Sequence, residues 1–255
     1  MSDNTDKNLI LQYAVRLGDD ALILGHRLSE WCRNGPFLEE DIALSNSALD
    51  YIGRARMFYG YAAELSNGEK TEDDFAYLRD CREYQNLLII ELPKGDFAWT
   101  MARQLIMDVY YLNFLSALSQ SVDPSLAAIA AKAVKETKYH LRRSTDWVLR
   151  LGDGTEESHA RLQKAFDEIW GYIPEIFEQD ELEQDLVSKG IAVNTAELQE
   201  QWQETIKEIL AEANIEMPEI SWTVRGGRSG YHTEHLGHLL SELQYMQRTY
   251  PGLQW

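Results

Sequence analysis

Cysteine is nearly absent: only Cys32 and Cys81 occur in 255 residues, and neither belongs to a CxxC pair. A zinc knuckle is thereby excluded, and free thiols in a reducing cytosol are expected. Proline and glycine are scarce, 6 and 16 residues, and several stand where helix breaks would fall. There is no run of about 18 apolar residues, and the polar start MSDNTDKN lacks the basic-then-apolar order of a signal peptide. The sequence therefore carries no address to a membrane or for export, and the cytoplasm is the expected location. Basic residues are outnumbered, 24 Lys and Arg against 42 Asp and Glu, for a formal net charge of −18. That balance excludes nucleic acid as a partner, because phosphate binding needs a basic surface. Only local basic spots are left to attract an anionic substrate.

What is present is a large apolar fraction, 44% with 11% aromatic, which suffices for a full core. Ile10, Ala14, Leu17, Ala21, Leu24, Leu28 and Trp31 recur at alternating steps of four and three, the inner stripe of a bundle helix. Asn34-Gly35-Pro36 ends it. A second helix is expected over 38–65, with Asn67-Gly68 as terminator. After the break at Pro93-Lys94-Gly95, a third carries Phe97, Met101, Leu105, Leu112 and Leu115 inward. Asp123-Pro124 opens a fourth, whose stripe reads Ala127, Ala130, Val134, Leu141 and Val148 before Gly152-Asp153-Gly154. Residues 66–96 contain their own apolar runs and read as a crossover with short helices. Four long helices with one long crossover make an all-α, ferritin-like four-helix bundle. Further helices are expected at 155–179, 180–189, 195–214 and 232–249. A single domain over 1–255 is the simplest organisation, with a core bundle at 8–152 and a helical extension at 153–255.

Ferritin-like di-iron enzymes require six inward ligands, a Glu from each of two helices and Glu-x-x-His from each of two others. The i, i+3 spacing puts both ligands of that motif on one helix face. Here the motif is missing. On the second helix, Tyr51 and Arg54 occupy the Glu and His places; on the fourth, Thr137 takes the Glu place and His140 keeps the His place. The third helix places Asp108 inward, and the first offers Asp19 or Asp20 beside its stripe. Asp20, Tyr51, Arg54, Asp108, Thr137 and His140 are thus vestigial metal-site positions, and no metal is expected there, since a fixed cation such as Arg54 repels iron. Arg54 is placed to pair with Asp108 or Asp20 in a satisfied buried network.

Several stretches carry a resemblance. They are Ala43-Leu44-Ser45-Asn46-Ser47-Ala48-Leu49-Asp50 running into Tyr51-Ile52-Gly53-Arg54-Ala55-Arg56, and Gly230-Tyr231-His232-Thr233-Glu234-His235-Leu236-Gly237 with Gln247-Arg248 and Pro251-Gly252-Leu253-Gln254-Trp255. Arg16-Leu17-Gly18-Asp19, Leu28-Ser29-Glu30-Trp31 and Lys135 to Arg142 add to them. Together they resemble the family of C subunits of the ring-1,2-phenylacetyl-CoA epoxidase over nearly the whole chain. The resemblance implies a multicomponent monooxygenase of aerobic phenylacetate breakdown. In it, a catalytic A subunit holds the di-iron site and inserts an oxygen atom from O2 into the ring of phenylacetyl-CoA, while a reductase component delivers electrons from NADPH. It implies that this chain binds no cofactor itself and pairs with the A subunit as a structural partner.

Other constellations are weaker. His232 and His235 share a face but lack a third ligand at a fitting spacing, and Thr233-Glu234 fits the first turn of a helix. Arg225-Gly226-Gly227-Arg228-Ser229-Gly230 reads as a flexible basic connector. Arg225 and Arg228 of this connector, together with His232, are candidate contacts to a partner or to CoA. The aromatic run of Tyr51, Phe58, Tyr59 and Tyr61, and the pair Tyr110-Tyr111, read as core or interface anchors. Two rival functions stay open: a free-standing metal-dependent oxygenase, and a CoA-ester-binding or regulatory module.

Overall fold

The computed structural model describes residues 2–253, so Gln254 and Trp255 of the C-terminal motif lie outside the described residues. The helices are α1 (Ser2–Ser29), α2 (Leu38–Leu65), α3 (Glu72–Tyr77), α4 (Leu88–Glu91), α5 (Phe97–Leu118), α6 (Pro124–Gly152), α7 (Glu156–Ile169), α8 (Ile173–Ile176), α9 (Glu181–Ser188), α10 (Gln199–Glu212), α11 (Glu234–Leu243) and α12 (Tyr245–Thr249). No strand occurs among the described residues.

The ends are set by side chains. Asp96 accepts from the Trp99 amide at 2.8 Å to start α5, and Asp123 accepts from Ser125 and Leu126 to start α6, with Pro124 in the first turn. The expected crossover holds α3, a 3₁₀ turn at Cys81–Glu83 and α4. Two expected helices are broken. The one at 155–179 is split at a 3₁₀ turn, Trp170–Tyr172, where Gly171 packs so closely on the Trp222 ring that a Cβ would collide with it. The one at 232–249 is split at Gln244, whose amide turns inward to donate to the Ala76 and Arg79 carbonyls.

The chain divides into two compact units, Met1–Glu30, Ala43–Pro93 and Arg225–Trp255 in the first and Trp31–Ile42 and Lys94–Val224 in the second. These boundaries do not follow the bundle-and-extension division at residue 152, because the C-terminal segment folds into the first unit.

In the first unit, α1 is buried on every side from Tyr13 to Gly25. Its one apolar stripe was legible, but its polar side is buried as well, so Arg16, Asp19 and Asp20 need partners inside. Gly18 and Gly25, seven residues apart, face α2: a Cβ on the first would strike the Tyr59 ring, and on the second would crowd Ile52 and the Ala48 carbonyl. The absent side chains let the two helices approach closely.

In the second unit, α5 and α6 pack along their length, and α7 and α10 pack on them. The inward face of α6 is Leu126, Ala130, Ala133, Thr137, His140, Ser144 and Val148, while Val134 and Leu141 are only half-buried. It therefore follows small and polar residues more than the largest apolar ones. Tyr110, Phe114, Phe177, Trp170 and Trp202 form a connected aromatic cluster with centroids 5.4–6.0 Å apart. The Trp202 indole donates to the Ile106 carbonyl at 3.0 Å.

Candidate functional site

The densest buried polar cluster of the first unit is built on α1, the crossover and the C-terminal segment. Asp19 is fully buried. It receives the Tyr59 hydroxyl at 2.6 Å, the Gln85 amide at 2.9 Å and the Arg79 guanidinium as an ion pair. Arg79 also donates to the Phe75 and Glu83 carbonyls at 2.7 and 2.9 Å, so its fork is held on both sides. Burial opposes the guanidinium charge, but Asp19 and Tyr59 outweigh it and hold its pKa above the usual range. Burial first, then the Asp19 charge, drives the Tyr59 hydroxyl well above an ordinary tyrosine, so it stays a donor.

Asp20, the next residue, turns to a different partner. Arg228 grips it with both terminal nitrogens, at 3.0 and 2.8 Å, and donates to the Gln85 carbonyl at 2.7 Å, while the Leu87 amide adds a bond at 2.9 Å. Burial raises the Asp20 pKa and Arg228 works against that rise. Of the two acids offered as partners for Arg54, Asp108 or Asp20, the second is held instead by Arg228, from 208 residues along the chain. Gly226 and Gly230 have positive φ, 137° and 74°, and Gly230 packs on the Arg82 carbonyl with no room for a Cβ. The expectation of a flexible connector is corrected too, since these glycines make the tight turn that directs Arg228 inward.

A third carboxylate, Glu91, closes α4 in full burial. It accepts from Asn86 at 2.8 Å and the Thr233 amide at 2.6 Å, and pairs with His232 Nδ1 at 2.7 Å. The other ring nitrogen of His232 lies 2.8 Å from the Tyr84 carbonyl. Both nitrogens face acceptors, so the arrangement calls for an imidazolium. Burial resists that charge, but the Glu91 bond and charge prevail and raise the His232 pKa. Three buried carboxylates therefore meet three bases, two of them supplied by the C-terminal segment. Arg27 donates to the Glu91 and His235 carbonyls, and Gln244 to those of Ala76 and Arg79, which fastens the segment further.

The remaining sequence-derived positions are reported within their own units. In the first, Tyr51 and Arg54 are buried, with the guanidinium 4.7 Å from the ring centroid. In the second, Asp108 is buried on α5 and accepts from the Ser144 hydroxyl at 2.8 Å; Thr137 and His140 are buried on α6, and the Thr137 hydroxyl donates to Ala133 of its own helix. Of the three candidate contacts to a partner or CoA, Arg228 and His232 are engaged inside, while Arg225 is exposed. The donor chemistry in the first unit does not suit two irons: a phenol, a guanidinium and a carboxylate gripped by a second guanidinium. Among the described residues, no three His, Cys, Asp or Glu side chains form a group that could hold a metal ion. No described helix is long and apolar enough to cross a membrane. Arg79 and Glu91 were the members sequence reasoning missed; Asp19 was offered only as an alternative to Asp20, from a pair of adjacent acids beside an apolar stripe.

Comparison with known proteins agrees with this architecture. The family model described as "Phenylacetic acid catabolic protein" matches residues 1–255. The chain is 46% identical over 248 residues to the C subunit of the 1,2-phenylacetyl-CoA epoxidase of Escherichia coli (strain K12), covering 97% of this chain and all of that protein. With this match and its all-helical structure, the chain belongs to the phenylacetic acid catabolic protein family, whose fold is ferritin-like.

Proposed function

We propose that this chain is a non-catalytic structural subunit of a 1,2-phenylacetyl-CoA epoxidase. It pairs with and stabilises the catalytic A subunit in aerobic phenylacetate catabolism in the cytoplasm. In this reading the di-iron centre and the insertion of oxygen into the ring belong to the A subunit, and NADPH electrons reach it through a reductase component. The observation that carries the reading is the answered charge of the first unit. The carboxylates of Asp19, Asp20 and Glu91 are buried, and each already has a cation from the chain itself. A carboxylate whose oxygens are already taken by a guanidinium or imidazolium has its lone pairs and charge committed, and a nearby fixed cation raises the cost of bringing a metal in. The name of the E. coli relative supports the assignment to such an assembly.

The test is reconstitution. The chain is purified alone and with the A subunit, and phenylacetyl-CoA oxidation is followed with the reductase and NADPH present. Turnover is expected only when the A subunit is included, and the A subunit alone should be less soluble or less active. Turnover by this chain without the A subunit would support a free-standing oxygenase instead. Tight phenylacetyl-CoA binding by the isolated chain would support a CoA-ester module.

A further inference from the structure

The outward face of α6, within the second unit, runs against the charge of the rest of the protein. Lys132, Lys135, Lys138, Tyr139 and Arg142 are all exposed and recur at steps of three and four. They therefore share one side of the helix, opposite the buried Ala130, Ala133, Thr137, His140 and Ser144. This basic row belongs to a chain with 24 Lys and Arg against 42 Asp and Glu. The acid within the stretch, Glu136, is half-buried with its Oε2 enclosed, and the outward-facing Asp146 comes a turn beyond Arg142.

The ordinary reasons for basic residues on a helix do not account for the row. Other exposed cations of this unit take a carboxylate one turn away: Arg161 with Glu157, Lys164 with Glu168 and Lys189 with Asp185. Lys135, Lys138 and Arg142 form no ion pair with any described residue. Their neighbours at three and four residues include one another, and like charges at that spacing repel and weaken the helix. The helix dipole favours cations only in the last turn, whereas α6 continues past Arg142 to Gly152. Arg143, at the edge of the face, is already answered by Glu40. Inside this chain nothing offsets the repulsion along the row. Tyr139, 53% exposed, stands in the middle of it, and Tyr and Arg are residue types that interfaces favour.

Shape and charge select the occupant. The outside of a single helix is convex, whereas sites for small molecules are concave, so a free anion is poorly matched to it. A nucleic acid would meet a net charge of −18 around this one row. A second copy brings the same net charge and is repelled at a distance. We propose that the outward face of α6 from Lys132 to Arg142 is the docking surface for a carboxylate-rich surface of a different protein chain. Resting on the subunit reading above, that chain is the catalytic A subunit. Its Asp and Glu side chains answer Lys135, Lys138 and Arg142, and Tyr139 packs at the centre of the contact.

Two charge reversals test this, Lys138→Glu and Arg142→Glu, with Lys207→Glu on the exposed side of α10 as the control of equal charge change. The reversed side chains are exposed and unpaired, so the isolated variants should keep the wild-type far-UV circular dichroism and melting temperature. Binding to the purified A subunit is measured by biolayer interferometry at low and high salt. Each α6 variant should lose at least about tenfold in affinity at low salt, and the control less than about twofold. Wild-type affinity should fall with added salt more steeply than that of the α6 variants. Wild-type binding kept by both α6 variants, or an equal loss in the control, would overturn the docking surface and leave the subunit reading intact. No association of the wild-type chain with the A subunit would overturn that reading and the named occupant together. If sedimentation shows that the chain alone forms a dimer and Arg142→Glu makes it a monomer, the occupant is a second copy and the proposal is wrong.

Discussion

In the first unit the interior holds three carboxylates against three bases; in the second it holds a connected set of stacked and edge-on aromatic rings. The aromatic interior gains from area removed from water and tolerates small shifts in geometry. The ion-paired interior gains little over a well-packed apolar one, but it fails badly if one partner is lost. The contrast assigns distinct roles to the two kinds of core. One fills volume. The other fixes which distant segments must come together, because Asp20 and Glu91 are satisfied only when the C-terminal segment is in place.

The sharpest break between the two is removal of one charge. Arg79→Met should destabilise the protein by about 3–5 kcal/mol in urea unfolding, since it leaves Asp19 buried without its cation. Adding Asp19→Asn should restore much of the loss, a coupling an aromatic site would not show. Trp202→Phe in the second unit should cost less, about 2–3 kcal/mol, from lost volume and the unanswered Ile106 carbonyl. Its cost should not change with pH.

His232 sharpens the comparison through pH. Its pKa is raised in the folded protein, so its contribution is complete below the free imidazole range near about 6.5 and disappears as pH rises through the raised value. Asp20 acts in the same direction, because burial makes it hold a proton more readily folded than unfolded. His232→Gln should therefore cost about 2 kcal/mol near pH 6. Urea midpoints should show that cost shrinking toward alkaline pH. The smallest effect separates two glycines of the first unit. Gly53→Ala should stabilise the isolated chain by about 0.5–1 kcal/mol, whereas Gly18→Ala should destabilise it through collision with Tyr59; melting temperatures read both.

Much of the fold was legible because helix periodicity and breakers are local signals. The 38–65 helix and the Asp123-Pro124 start were read at their observed places. The register that turned Thr137 and His140 inward rested on the same three-and-four spacing. The ion-paired core was not legible, for a physical reason. The partners of Asp20 and Glu91 lie 208 and 141 residues away, and nothing in either local pattern names the other. The Arg-Gly-Gly-Arg-Ser-Gly stretch looked like a connector because its glycines signal a turn, not where the turn sends the arginine. The splits at Gly171 and Gln244 were hidden likewise, since each depends on a distant contact, with Trp222 or with the Arg79 carbonyl.

The central claim, proposed above, is that this chain holds no metal of its own, its buried acids Asp19, Asp20 and Glu91 each being paired with a cation from the chain. It is tested most directly by anaerobic Fe(II) titration of the isolated chain, followed by desalting, metal analysis and a melting curve. The account predicts no retained iron and an unchanged melting temperature. Two irons retained per chain, with a raised melting temperature, would contradict it.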